Sequence, residues 1–299
     1  MFPLKFKYLT IAFCGIVVVI LLTITLVPLL LIGPEAAATL RYITVPLFFF
    51  MVSILIFLGI FFLLNYRLFS LLEREDWPAL AYYLEQKIYV KRRYSSRNVR
   101  LLASSYLVIS DYASVLKLES KTMLAKHSIV GKNALIFGAA RVLSGNYKDA
   151  VAFFKTYLEK NKGKDEDWLR WFYGFSLLLA GSFSQVEPEF MNLAVSSDSA
   201  LITGLSAYFL SGVVLKHSFR PDECKKAAET GRARVVDALK NEAGWNKEVE
   251  KMVAEIHIAI IRKYVDEAGK WVFEKNPSRE ESHGDAAVKP ASGGDSENL

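Results

Sequence analysis

Two long uncharged runs open the chain. No charged residue occurs between Lys7 and Glu35, and none between Arg41 and Arg67. Each run exceeds the ~20 apolar residues that cross a bilayer core. The pattern predicts transmembrane helices at about Leu9–Ile32 and Tyr42–Leu64, joined by a tight GPEAAATLR turn. A secretory signal does not fit the first run: it is longer than the usual ~7–15-residue signal core, and a second run follows at once. A lipoprotein signal ending at Cys14 fails because Phe13 stands where a small residue is needed. From Leu64 to Trp77 (LNYRLFSLLEREDW) there is no Gly or Pro, and Leu68, Leu71 and Leu72 share a helical face. The second span is therefore predicted to run on into the first helix of a following domain.

Beyond that point the pattern becomes amphipathic with a long period. Gly138–Asn161 (GAARVLSGNYKDAVAFFKTYLEKN) reads as one helical hairpin, with a turn at Ser144-Gly145-Asn146. Tyr147, Ala150, Phe154 and Tyr157 line one face of its second helix, and Gly138 allows close helix approach. A small polar residue followed by an aromatic recurs at Asp76-Trp77, Asp111-Tyr112, Asn146-Tyr147 and Ser182-Phe183, spaced 35, 35 and 36 residues apart. The small residues Ala103, Gly138 and Gly174 precede the last three. Such periods mark helical solenoids, in which each hairpin buries its face against copies of itself.

The spacing resembles that of the tetratricopeptide repeat family. The match is best over Gly131–Lys164 (Gly138, Gly145, Tyr147, Ala150, Phe154). It extends to Ser96–Ala125 (Ala103, Tyr106, Asp111, Tyr112) and Asp167–Asp198 (Gly174, Gly181, Phe183, Phe190). The departures are Lys162 at the closing proline of the best copy, Tyr157 at its usual alanine, and Leu68 at the small position of the first copy. A fifth, degenerate leading helix is expected over Ser199–Leu215 around Gly204. The resemblance implies an α-solenoid of about four hairpins with a concave groove lined by leading helices. The groove positions carried over include Arg97, Arg100, Lys132, Trp168, Trp171, Phe175 and Tyr208. A carboxylate clamp for chaperone tails is not implied, because Ser104, Ile136, Trp168 and Phe172 replace most of the required polar residues. An apolar or amphipathic helix suits this groove better, with Trp168 and Trp171 as anchors.

Past the repeats, Pro221-Asp222-Glu223 opens a charged helix to about Leu239, its acids placed early as the helix dipole favours. Trp245–Lys275 reads as one long helix with Val249, Met252, Val253, Ile256, Ile260 and Tyr264 on a stripe. That stripe must be buried somewhere, so self-occlusion of the groove stands level with partner binding. The acidic, Gly/Ser/Pro-rich segment from Asn276 is expected to be disordered. The all-α chain thus divides into a transmembrane hairpin (1–64), a repeat domain (65–215), capping helices (216–275) and a tail (276–299).

Composition narrows the functions. The net charge of +6 in 299 residues is mild and does not suit a nucleic-acid binder. Cys14 lies in an apolar run and Cys224 in a charged helix, a pairing unsuited to a structural disulfide; a reducing compartment fits. The four histidines have no metal-binding spacing, so neither metal nor cofactor is expected. No phosphate loop, nucleophile elbow or paired cysteine base occurs, and the chain reads as a non-enzyme.

Basic residues lie near the predicted spans at Lys5, Lys7, Arg67 and Arg74, against only Arg41 in the turn. Both termini and the repeat domain are therefore expected in the cytoplasm, under a multi-pass inner-membrane anchor. No acid occurs from Gln86 to Ser110, so Lys87, Lys91, Arg92 and Arg93 are candidate contacts for anionic lipid headgroups; a flank that merely sets topology explains them equally well. The expectation is a membrane-fixed scaffold or adaptor that gathers protein or peptide partners for envelope or membrane-complex assembly. Two alternatives remain: a component of a flagellar or secretion machine with the domain outside the cytoplasm, and an enzyme lacking a recognisable motif.

Overall fold

The computed structural model describes residues 12–20, 22, 23, 33–160, 166–253 and 255–274. Every regular element among them is a helix. Residues 12–20, 22 and 23 are helical; the rest of the first predicted span lies outside the described residues, as does the tail from 276. Helix α1 runs from Gly33 to Glu73. It takes in the segment expected to form the GPEAAATLR turn, which corrects that expectation. The physical reason is propensity: Pro is tolerated in a first turn, and a Glu-Ala-Ala-Ala run is among the best helix formers. The most apolar stretch within Val45–Glu73 has a mean hydropathy of 3.0, and no part of it is buried. Burial begins at Leu68, which is 3% exposed.

Four helix ends share one geometry. Glu75, Ser110, Gly145 and Gly181 have φ of 54°, 60°, 77° and 74°. At each, the next residue's amide reaches back five residues: Asp76 to the Leu71 carbonyl (3.2 Å), Asp111 to Tyr106 (2.9 Å), Asn146 to Arg141 (3.0 Å) and Ser182 to Leu177 (2.9 Å). The left-handed residue itself bonds three residues back. These are Schellman caps, which satisfy the orphan carbonyls of the ending helix. The small polar residue that follows starts the next helix, and Asp76 and Asp111 also accept from Ala79 and Ser114 amides (3.1 and 3.0 Å). The recurring dipeptide is thus a stop-and-restart signal.

The described residues form two compact units that divide between Asn133 and Ala134. This boundary cuts through the repeat domain drawn from the sequence. The first unit contains α1, α2 (Trp77–Glu85), a π-helical turn (Gln86–Val90), α3 (Ser96–Val108) and α4 (Tyr112–Lys132). Each helix packs on the next. Leu80, Leu84, Ile88, Val99, Leu102 and Leu118 are fully buried among them. The chain leaves helical geometry at Lys126 (φ −162°, ψ 85°), so α4 is two segments joined by a kink. Asn133, 2% exposed, closes the unit by donating to Ser96 Oγ (3.1 Å) and the Ile129 carbonyl (2.8 Å).

The second unit contains α5 (Ala134–Leu143), α6 (Tyr147–Lys160), α7 (Glu166–Leu179), α8 (Phe183–Ser196) and α9 (Ala200–Phe209). It continues with α10 (Pro221–Leu239), α11 (Glu242–Met252), α12 (Ile256–Ile260) and α13 (Arg262–Phe273). Here α5 meets α6 and α7, α7 meets α8 and α9, and α8 meets α9 and α10. Two glycines set the spacing. A Cβ on Gly138 would collide with the Phe154 ring, and one on Gly174 would sit 2.6 Å from Phe190 Cε1. Both rings are fully buried, each worth ~1.5–3 kcal/mol of apolar transfer. The Ala200–His217 segment is also long and apolar enough to cross a membrane, but it is 56% buried and packs against α8, α10 and α13. It is a core helix.

The single helix expected over Trp245–Lys275 is broken into α11, α12 and α13. Glu255 is extended (φ −85°, ψ 118°). The cause lies in the faces. Val253, on the expected stripe, is 55% exposed, whereas His257, Ile258, Ile261, Val265, Ala268 and Val272 are buried. Breaking the helix rotates this second stripe inward. Arg232 on α10 then secures the end of α13 by donating Nε–H to the Val272 carbonyl (2.9 Å) and a further N–H to the Glu274 carbonyl. Arg234 treats the end of α8 alike, through the Ala194 and Ser197 carbonyls (3.0 and 2.9 Å). A guanidinium at a helix C-terminus is favoured by the dipole as well as by the hydrogen bonds.

Candidate functional site

Two surfaces hold the residues singled out from the sequence, one in each unit. In the second unit, α7 carries Trp168, Trp171 and Phe175. Trp171 stacks on Phe175 (5.1 Å between centroids, 17°) and lies 6.1 Å from Phe190 on α8 and 6.0 Å from Phe209 on α9. The C-terminal helices cover this layer. His257 on α12 meets Trp168 and Phe172 at 5.1 and 6.1 Å, and α12 also packs against α5. Tyr264 on α13 meets Phe175 and Phe209 at 5.5 and 5.3 Å, and Trp271 meets Tyr208 at 6.1 Å. Tyr208 Oη donates to Glu267 Oε2 (3.0 Å). Burial, and then this bond, push the Tyr208 phenol above its ordinary pKa.

Trp168, Trp171 and Phe175 are consequently 6%, 0% and 4% exposed. These residues, expected to line a partner groove, lie beneath the chain's own C-terminal helices. The physical reason is that the chain supplies its own apolar occupant. Tyr208 is half-buried and belongs to the same cover. Self-occlusion, one of the two readings left open by the stripe in Trp245–Lys275, describes this face. The sequence missed His257 and Trp271 as contributors. Their signal was a second stripe, Ile258, Ile261, Val265, Ala268 and Val272, out of phase with the first.

In the first unit the named residues are cationic. Lys91, Arg92, Arg93, Arg97, Arg100 and Lys132 are exposed, and Lys87 is half-buried. Arg100 Nε donates to Asn133 Oδ1 (3.3 Å), next to Lys132 in the chain. Lys87 leaves the π-helical turn, an insertion that often marks functional positions. Its ammonium lies 6.0 Å from the Tyr83 ring centroid, and the Arg67 guanidinium on α1 lies 5.4 Å from the same ring. Burial first, then Arg93, Arg97 and Lys91, hold the Lys87 pKa below its ordinary value. Nearby, Tyr106 Oη donates to Glu85 Oε1, and burial followed by that bond raises its pKa well above the usual phenol range. Burial also pushes Tyr89 up to about 12.

Among the described residues no group of three His, Cys, Asp or Glu side chains could hold a metal ion. Cys14 and Cys224 are free thiols. Cys224 is fully buried, and burial raises its pKa. Buried Glu187 accepts from Arg220 Nε (3.0 Å) and Ser218 Oγ (2.8 Å), fixing the loop before α10. This is a paired structural carboxylate.

The fold and these surfaces define an all-helical protein with an unburied apolar helix, four repeated helix caps and a self-covered aromatic layer. Residues 114–274, just over half the chain, match the family described as "Uncharacterised Treponema protein", and the chain belongs to that family. It is also similar to an "Uncharacterized protein" of Treponema pallidum (strain Nichols), 26% identical over 287 residues that cover 91% of this chain and 89% of the relative. No solved structure matches.

Proposed function

We propose that the chain is a membrane-anchored, non-enzymatic scaffold of tetratricopeptide-like helical hairpins, holding protein partners at the inner membrane from the cytoplasmic side. The observation that carries this reading is the continuity of α1. A helix with an unburied apolar window within Val45–Glu73 runs without a break into a Schellman cap that recurs three more times at repeat spacing. In the second unit, contacts of α5 with α7 and of α7 with α9 support the solenoid part, because stacked hairpins bring leading helices together. Anchor and first repeat then share one helix, which holds the first unit close to the bilayer.

The aromatic layer enters this proposal as an intramolecular site. Helices α12 and α13 occupy the place where the resembled family seats a partner, so an apolar or amphipathic partner helix binds there only by displacing them. Arg100 and Lys132 are exposed and remain the protein-partner contacts of the proposal.

Topology is the test. Cys224 is buried and is a poor reporter, but Phe219 is 83% exposed. A Phe219→Cys chain in intact spheroplasts should resist a membrane-impermeant maleimide until lysis. Labelling before lysis would move the domain to the other side and favour a role in a flagellar or secretion assembly. Recovery in the soluble fraction after carbonate extraction would contradict the anchor itself.

A further inference from the structure

Two cations of the first unit are placed against ordinary preference. Arg97 and Arg100 lie in the first two turns of α3, where the helix dipole is positive and acids are favoured. Ser95 Oγ accepts from the Asn98 amide (3.2 Å), and Asn98 Nδ2 donates to the Arg93 carbonyl (3.1 Å), so the basic segment is pinned to that helix start. Arg92 holds φ at 50°, a conformation costly for a residue with a side chain. No acid occurs in the sequence between Gln86 and Ser110. This exposed and pinned run of positive charge suits an external anion.

The place of the segment says which anion. Tyr83 joins Lys87 to Arg67, the first charged residue after the apolar run of α1, through one aromatic ring. We propose that Lys87, Lys91, Arg92, Arg93 and Arg97 form a headgroup site, binding the phosphates of anionic phospholipids where α1 emerges from the bilayer. This inference rests on the membrane-anchored reading of α1. Its chemistry is charge-assisted hydrogen bonding from guanidinium and ammonium groups to phosphate oxygens, next to a tyrosine at the depth where aromatics favour the interface. The site adds a second contact to a helix anchor and fixes the orientation of the domain.

The experiment uses the full chain in nanodiscs of phosphatidylcholine, with or without about 30% phosphatidylglycerol to supply a negative surface. Amide hydrogen exchange is followed over residues 86–98. Phosphatidylglycerol should slow exchange there by at least about fivefold, the equivalent of one cation seated at an anionic surface, and high salt should reverse it. The Lys91→Gln/Arg93→Gln/Arg97→Gln chain should lose the effect, and the charge-conserving Lys91→Arg/Arg93→Lys/Arg97→Lys chain should keep it. Insertion into both nanodiscs with equal exchange overturns the headgroup site and leaves the anchor standing. Failure to insert into either overturns the anchor. Equal slowing by inorganic phosphate in neutral nanodiscs assigns the site to a soluble anion and overturns the lipid proposal.

Discussion

The two units end their helices in the same way and finish their surfaces in opposite ways. Glu75 and Ser110 in the first unit make the same left-handed caps as Gly145 and Gly181 in the second. Yet the second unit's leading helices carry aromatics, and the chain covers them with His257, Tyr264 and Trp271. The first unit's carry exposed arginines and lysines, with no acid in the sequence from Gln86 to Ser110. Apolar side chains must be removed from water for the unit to be stable, so the chain provides the cover. Exposed cations cost little in water and can wait for a partner. An aromatic stripe at helical spacing therefore marked an interior, and a charge run marked the available face.

The contrast can be broken most forcefully at Trp171. Trp171→Ala should cost ~3–5 kcal/mol by denaturant unfolding in detergent, the range for a truncated core aromatic. Arg97→Ala should stay within about 0.5 kcal/mol, as exposed substitutions do. A Trp171→Ala chain of unchanged stability would return that residue to the partner-binding role. Next in size, Gly174→Ala should cost ~1–3 kcal/mol, because its Cβ meets the buried Phe190 ring within a packed layer. Pairing it with Phe190→Leu should recover part of the loss.

The caps offer a comparison of sign. Ser110→Gly should stabilise by up to ~1 kcal/mol and Gly145→Ala should destabilise by ~1 kcal/mol, since a left-handed residue with a side chain is strained. Thermal melts of the two variants should move apart; movement in one direction would deny that the caps are equivalent. The smallest effect is alkaline. The unfolded chain releases its tyrosine protons near 10, whereas the fold keeps Tyr89 protonated to about 12 and Tyr106 beyond it. Stability should therefore fall as pH rises through that window. Tyr106→Phe should flatten the fall, even though loss of the Glu85 bond lowers stability at neutral pH. Lys87 acts in the opposite sense, shedding its disfavoured charge as pH rises.

The all-helical class and the repeated turn dipeptide were legible because both are local: hydrophobic spacing for the first, a small polar residue at a helix start for the second. Glycine announced the left-handed position at Gly145 and Gly181, but Glu75 and Ser110 take it without announcement because the caps around them demand it. The break before α12 carried no Gly or Pro. It follows from burial of His257 and Ile258, which depends on aromatics about ninety residues earlier in sequence. For the same reason Trp168 and Trp171 read correctly as an apolar layer but not as a covered one. The basic residues were legible as a group, while their link to α1 through Tyr83 needed the packing of α1 on α2.

Native-state hydrogen exchange across 256–273 in the unmodified full chain tests the self-covered face most directly. If α12 and α13 are part of the second unit's core, their buried amides should exchange together with those of Glu166–Leu179, through the same opening, at matching free energy. Exchange of 256–273 at unprotected rates, with 166–179 still protected, would contradict the account and leave Trp168, Trp171 and Phe175 as an open binding face.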